Sequence, residues 1–166
     1  MELHVVRRNG DRHTIIYDDA DHALLCKHRW YVWQAPLGRG DLYYARTNLY
    51  VNDRRTNIAM HTLLTTSRDV DHKNLNGLDN RRANLRLATR SQQGANQRDH
   101  GGSSSYKGVS WSRGRNKWEA KIRVDQVSKF LGRFEVEQDA AAAYDHAARA
   151  AWGEFALTNE ALGGQA

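Results

Sequence analysis

Between residues 117 and 124 the chain alternates, with Lys117, Glu119, Lys121 and Arg123 at odd positions and Trp118, Ala120, Ile122 and Val124 at even ones. A period of two puts the charges on one face and the apolar groups on the other, which predicts a half-buried antiparallel strand. Tyr106 to Trp111 and Lys129 to Phe134 flank it through the turn sequences SRGRN and DQVS, predicting two more strands. The run EQDAAAAYDHAARAAWG, Glu137 to Gly153, then predicts an alanine-rich helix closed by glycine. Its residues Ala140, Ala143, Tyr144, Ala147, Ala148 and Ala151 share one side, where small groups allow close approach to the apolar sheet face.

The earlier part of the chain has shorter apolar runs. Thr14 to Tyr17, Trp30 to Gln34 and Leu42 to Thr47 read as strands, and Asp21 to His28 as a two-turn helix with Asp18 or Asp19 as its cap. Leu49 to Ile58 reads as a hairpin turning at Asn52-Asp53, and Met60 to Leu64 as a short helix. Trp30, Trp33, Tyr43 and Tyr44 are assigned to the core of this β-rich start. The stretch RDHGGSSSYKG has a composition that cannot bury itself, so a flexible linker is placed at 99–104. The predicted class is α+β: a domain over 1–98, a second over 105–160 built of three strands on one helix, and a tail at 161–166.

Composition narrows the partner. The 166 residues carry 25 Lys plus Arg against 19 Asp plus Glu, for a net +6 and a pI near 9.7, which favours a polyanion. The charge is segregated: Lys107 to Arg133 holds eight basic residues against two acidic, and Phe134 to Ala166 one against six. A merely solvated face would mix the signs. The single Cys26 excludes an internal disulfide and a cysteine-rich metal framework. With no signal peptide or bilayer-length apolar run, an intracellular, cytoplasmic protein is expected, with double-stranded DNA as partner and neither membrane nor small-molecule substrate.

Candidate chemistry lies in VDHKNLNGLDNRRANL, Val70 to Leu85. On a strand, adjacent Asp71 and His72 would point to opposite faces and act separately. An imidazole titrating near neutrality can take a proton from water, and a carboxylate can hold a divalent cation. The dyad Asp71-His72, the loop KNLNGLDNRRA, Asn84 in NLRLAT and a helix starting near Thr89, where Thr89 to Gln92 supplies a capping box, together resemble the HNH nuclease family over roughly 60–98.

That resemblance implies a ββα-metal motif with Asp71 as metal ligand, His72 as general base, and Asn84 bracing the loop and orienting the histidine. The family's second ligand position falls at Gln93. Either Gln93 reaches the metal, or Asn96 on the same helical face substitutes, or the metal is poorly held. Oxygen ligands suit a single magnesium or manganese ion. His61 aligns with a histidine often seen upstream of this motif, for which packing, phosphate contact and chemistry all stay open, and Asn80 is read as an Asx turn in LDNR ahead of any catalytic role.

After the linker, YKGV, WEAKIR, LGRF, AAAAYD and LTN, in that order over Ser104 to Asn159, resemble the ethylene-response-factor (Apetala-type) DNA-binding domain. The resemblance implies a sheet that enters the major groove, with Lys107, Ser110, Lys121, Arg123 and Phe130 at contact positions and Arg113, Arg115 and Lys117 in or beside the first hairpin. Ser110 and Ser128 stand where plant members usually have arginine, and Phe130 replaces a usual tryptophan. Arginine reads guanine edges bidentately, so Arg113, Arg115 and Arg123 are expected to govern sequence choice. The pairing resembles HNH homing endonucleases of phages and bacteria. The alternative is a non-catalytic DNA-binding regulator or a decayed nuclease.

Overall fold

The computed structural model describes residues 1–36, 42–97 and 102–163. The chain divides into two compact units, Met1–Ala88 and Thr89–Ala166, each with its own core.

In the first unit, β1 (Glu2–Val6) pairs antiparallel with β2 (Arg12–Ile16). Strands β3 (Tyr31–Gln34), β4 (Tyr43–Val51) and β5 (Arg54–Ala59) form an antiparallel sheet in that order. The β4–β5 turn is Asn52-Asp53, with φ of 49° and 58°, the left-handed pair that a two-residue hairpin turn needs. Helix α2 (Met60–Thr65) follows directly, and a last antiparallel pair, β6 (Val70–His72) and β7 (Leu85–Leu87), encloses a long loop. Ile15, Leu25, Trp30, Val32, Ala45, Met60, Leu64, Val70 and Leu85 make one buried cluster.

Several details differ from the sequence reading. Strand β1 is absent from the sequence reading, although Leu3 and Val5 flank His4 and pack on the core. Helix α1 is one turn, His22–Leu25, after a 3-10 turn at Asp19–Asp21. Asp18 caps neither, because its Oδ2 accepts from Arg82 N (2.7 Å), while Asp21 accepts the Arg82 guanidinium. Trp30 is buried and donates to Leu25 O. Trp33 and Tyr44 face away from the core: they alternate with buried Val32 and Ala45, and the Arg46 guanidinium lies over Trp33.

The second unit holds α3 (Arg90–Ala95), β8 (Val109–Ser112), β9 (Lys117–Val124), β10 (Val127–Phe134) and α4 (Glu137–Trp152). Its sheet is antiparallel with β9 central, and α4 covers the face bearing Ala120 and Ile122. Gly108 (φ +73°) is required, since a Cβ there would lie 2.1 Å from the Tyr144 ring. The β9–β10 turn is Asp125-Gln126 alone, so Val127 and Ser128 join the strand. The buried stripe of α4 runs through Ala141 and Asp145, whereas Ala151 is exposed. Asp145 is drawn inward as an acceptor for Asn159 N (2.8 Å), Asn159 Nδ2 (2.9 Å) and Glu160 N (3.0 Å).

The division at 88/89 differs from a boundary at 99–104, and the reason is the set of bonds holding α3. Lys107 Nζ donates to Ala95 O (2.5 Å) and Gln97 O (2.6 Å), Leu157 N to Ala95 O, and Trp152 Nε1 to Ser91 Oγ (3.2 Å). Residues 98–101 lie outside the described residues. Beyond them the serines are anchored: Ser103 Oγ accepts from Trp111 N and Ser104 Oγ donates to Glu137.

Candidate functional site

The register of β6 and β7 sets Asp71 opposite Arg86 and His72 opposite Leu85. Alternation along β6 sends the two dyad side chains to opposite faces. On one face, Arg86 Nε and Nη2 approach the same Asp71 Oδ2 at 2.9 and 2.8 Å. On the other, the buried His72 ring enters an aromatic cluster. It meets the His61 ring edge-on at 5.0 Å between centroids, and Tyr44 lies 6.0 Å from His72 and 5.8 Å from His61.

Burial pushes the His72 pKa below the ordinary imidazole value, opposed by the nearby Asn80 amide and by the charges of Asp71 and Asp79. His61 is lowered to about 3 by burial first, then by His72 and Arg46. A ring kept neutral is a competent proton acceptor at neutral pH.

The loop between the strands is tied by its own amides. Asn84 Oδ1 accepts from Asn74 N (3.1 Å), and its Nδ2 donates to Asn74 Oδ1 (2.9 Å) and Asp79 O (2.8 Å). Asp79, 2% exposed, accepts from Arg81 Nε and Nη2 and from Asn74 Nδ2, and the Arg81 bonds hold its carboxyl below the usual range. Asn80 N donates to Ile16 O (2.7 Å) and Ile16 N to Leu78 O (2.9 Å), stitching the loop to β2. Asn80 forms no Asx turn. Asp79, one residue earlier, accepts from Arg81 N, and Asn80 is wholly buried. Gly77 passes so close to β4 that a Cβ would lie 2.4 Å from Tyr43 O.

Sequence reasoning missed Asp79, Arg86, Asn74 and Tyr44. The available signal was the short-range pattern NLNGLDNRR, whose Asn and Asp side chains are suited to capping their own backbone two residues on. Gln93 is half-buried on α3 and Asn96 is its buried C-cap, both in the second unit. The predicted capping box is present, with Gln92 N donating to Thr89 Oγ1 and Thr89 N to Gln92 Oε1.

On the second unit, alternation and register put Ser110, Lys121, Arg123 and Phe130 on the sheet face away from α4. Arg113 and Arg115 are exposed at the β8–β9 turn, and Lys117 pairs with Glu135. At the centre of the face Glu119 accepts from Lys121 and Arg133, which hold its carboxyl below the usual range. Lys107 is not on this face. It is buried, and its ammonium is consumed by the carbonyls that end α3.

Among the described residues no group of three or more His, Cys, Asp and Glu gathers as a metal cage. Asp79 is engaged by Arg81 and Asn74, so the donor chemistry at the dyad is the Asp71 carboxylate, which fits a magnesium-type ion that keeps most of its waters.

The model of the HNH endonuclease family matches residues 68–95, a segment containing Asp71, His72, Asn80, Asn84 and Gln93. This segment is similar to HNH endonucleases. No match is found among curated proteins, and none among solved structures.

Proposed function

We propose that the chain is a metal-dependent DNA endonuclease whose first unit hydrolyses a phosphodiester bond and whose second unit holds DNA on its sheet. The observation that carries the reading is His72: a buried ring kept in its neutral form, inside the segment matched by the HNH family. His72 takes the proton of the attacking water. Asn84 braces the loop between the two strands, and the Asn80 amide favours the imidazolium.

Asp71 provides the carboxylate for one magnesium or manganese ion, which when bound neutralises charge on the scissile phosphate and leaving oxygen. The motif spacing offers Gln93, or Asn96 in its place, as the amide ligand. The second unit contributes Ser110, Arg113, Arg115, Lys117, Lys121, Arg123 and Phe130 to duplex binding, in the manner of an Apetala-type domain. A homing-type nuclease joins cutting and reading in this way.

The test is incubation of the purified chain with supercoiled plasmid, with and without magnesium or manganese. Nicking or linearisation that needs metal and disappears in His72→Ala is the expected result. Metal-independent cutting, or full activity in the variant, overturns it. A non-catalytic DNA-binding regulator is favoured by the Arg86 contacts on Asp71. In that case wild type and Gln93→Asn both bind DNA and neither cuts.

A further inference from the structure

The β3–β4–β5 sheet has two different faces. One buries Val32, Ala45 and Thr47 in the core. On the other, alternation and cross-strand register collect Tyr31, Trp33, Arg46, Tyr50, Arg55 and Asn57. No carboxylate stands on this outer face among the described strand residues. Aromatic rings interleaved with arginine and amide groups form a surface suited to a nucleic-acid backbone and its bases.

Two further features give the face a direction. The Arg46 guanidinium lies 3.9 Å from the Trp33 ring centroid and donates through Nη1 to Asn57 Oδ1 (3.1 Å), yet its Nε is buried with no hydrogen-bond partner among the described residues. His61 Nδ1, whose ring lies within electrostatic range of Arg46, is likewise buried without one. Unsatisfied buried polar atoms of this kind are costly unless something completes them. Tyr44 stands on the same face, and its ring contacts those of both His61 and His72.

We infer that the outer face of the β3–β4–β5 sheet is a second DNA-binding surface, which leads one strand of the duplex past Tyr50 and Arg55 to Arg46, His61 and the reaction centre at His72. The inference rests on the nuclease reading for its substrate and adds the track along which that substrate lies. Charge complementarity and continuity with the candidate site identify the occupant as DNA. Arg55 is exposed at one end of the track and Arg46 half-buried near the other.

The test measures affinity for a DNA duplex as a function of salt, in the full chain carrying His72→Ala so that no substrate is consumed. Arg55→Glu is expected to weaken binding about tenfold at low salt and to lower the log–log salt slope by about one, the signature of a lost phosphate contact. Arg54→Glu, adjacent in sequence but on the opposite face, is the control and should leave the slope unchanged. Arg46→Gln should act like Arg55→Glu.

Should Arg46→Gln fail to fold, Arg55→Glu still decides the matter, because Arg55 is exposed. An unchanged slope in Arg55→Glu, or an equal loss in Arg54→Glu, overturns the inference. Failure of the nuclease reading would show instead as absent plasmid cutting by wild type, with the slope differences intact.

Discussion

Arg86 and Asp71 face each other across the β6–β7 ladder, with both guanidinium contacts falling on one carboxylate oxygen and each side chain only 11% exposed. Such a shielded pair is worth most when broken, because the surviving charge is left in a poor solvent. Arg86→Ala should therefore lower the unfolding free energy by about 2–4 kcal/mol in urea denaturation. Arg86→Lys should recover only part of it, since a point charge cannot reproduce the fork. Equal stability of all three proteins would show the pair to be incidental.

Asn84 serves both sides of the long loop with its single amide. Asn84→Ala removes three hydrogen bonds and leaves buried groups unpaired, at a cost of about 1–3 kcal/mol. Plasmid cutting should fall at least a hundredfold while duplex binding persists. Asn84→Asp should restore little, because a carboxylate cannot donate to Asp79 O.

Gly77 is fixed by proximity. A methyl group there meets Tyr43 O at 2.4 Å and the Tyr44 ring at 2.6 Å, and backbone cannot yield as a flexible side chain can. Gly77→Ala should destabilise the first unit by roughly 1–3 kcal/mol, which thermal unfolding would report.

His61 makes the first unit acid-sensitive. Its folded pKa is depressed to about 3 from an ordinary 6.5, under burial and the facing His72 and Arg46 groups. The stability it contributes is fully present above pH 6.5 and is lost as the pH falls towards 3, by up to about 1.4 kcal/mol per pH unit. His61→Phe should flatten the decline of Tm between pH 6.5 and 4. An unaltered profile would assign the acid sensitivity elsewhere.

Lys107 separates packing from DNA contact. With its ammonium on Ala95 O and Gln97 O, Lys107→Met should lower Tm and speed amide exchange in α3. The salt slope of DNA binding should stay at the wild-type value. A slope reduced by about one would return Lys107 to the proposed DNA contacts.

The elements with a clean period were legible in the sequence. Lys117 to Val124 alternates without interruption, and it is a strand with the predicted faces. Asn52-Asp53 and the Thr89 capping box were equally readable, because each depends on side chains within three residues. What stayed hidden depends on partners far along the chain. Asp18 looks like a helix cap until Arg82 N, 64 residues on, takes its carboxylate. Lys107 sits in a basic stretch, and only the fold reveals that two carbonyls claim it.

In the candidate site the dyad and Asn84 were visible as a motif. The ring cluster of Tyr44, His61 and His72 was not, because it joins β4, α2 and β6. Nothing in a local pattern announces such a meeting. Trp33 and Tyr44 were assigned to the core by residue type alone, and pleat parity places them on the opposite side.

The segment similar to HNH endonucleases runs across the Ala88–Thr89 division, so its final helix is anchored by a lysine and a tryptophan that arrive later in translation. A cassette excised at residue 98 would carry α3 without either anchor. Anyone grafting this segment onto a different domain would need to transplant Lys107 and Trp152 as well, or design replacements for them.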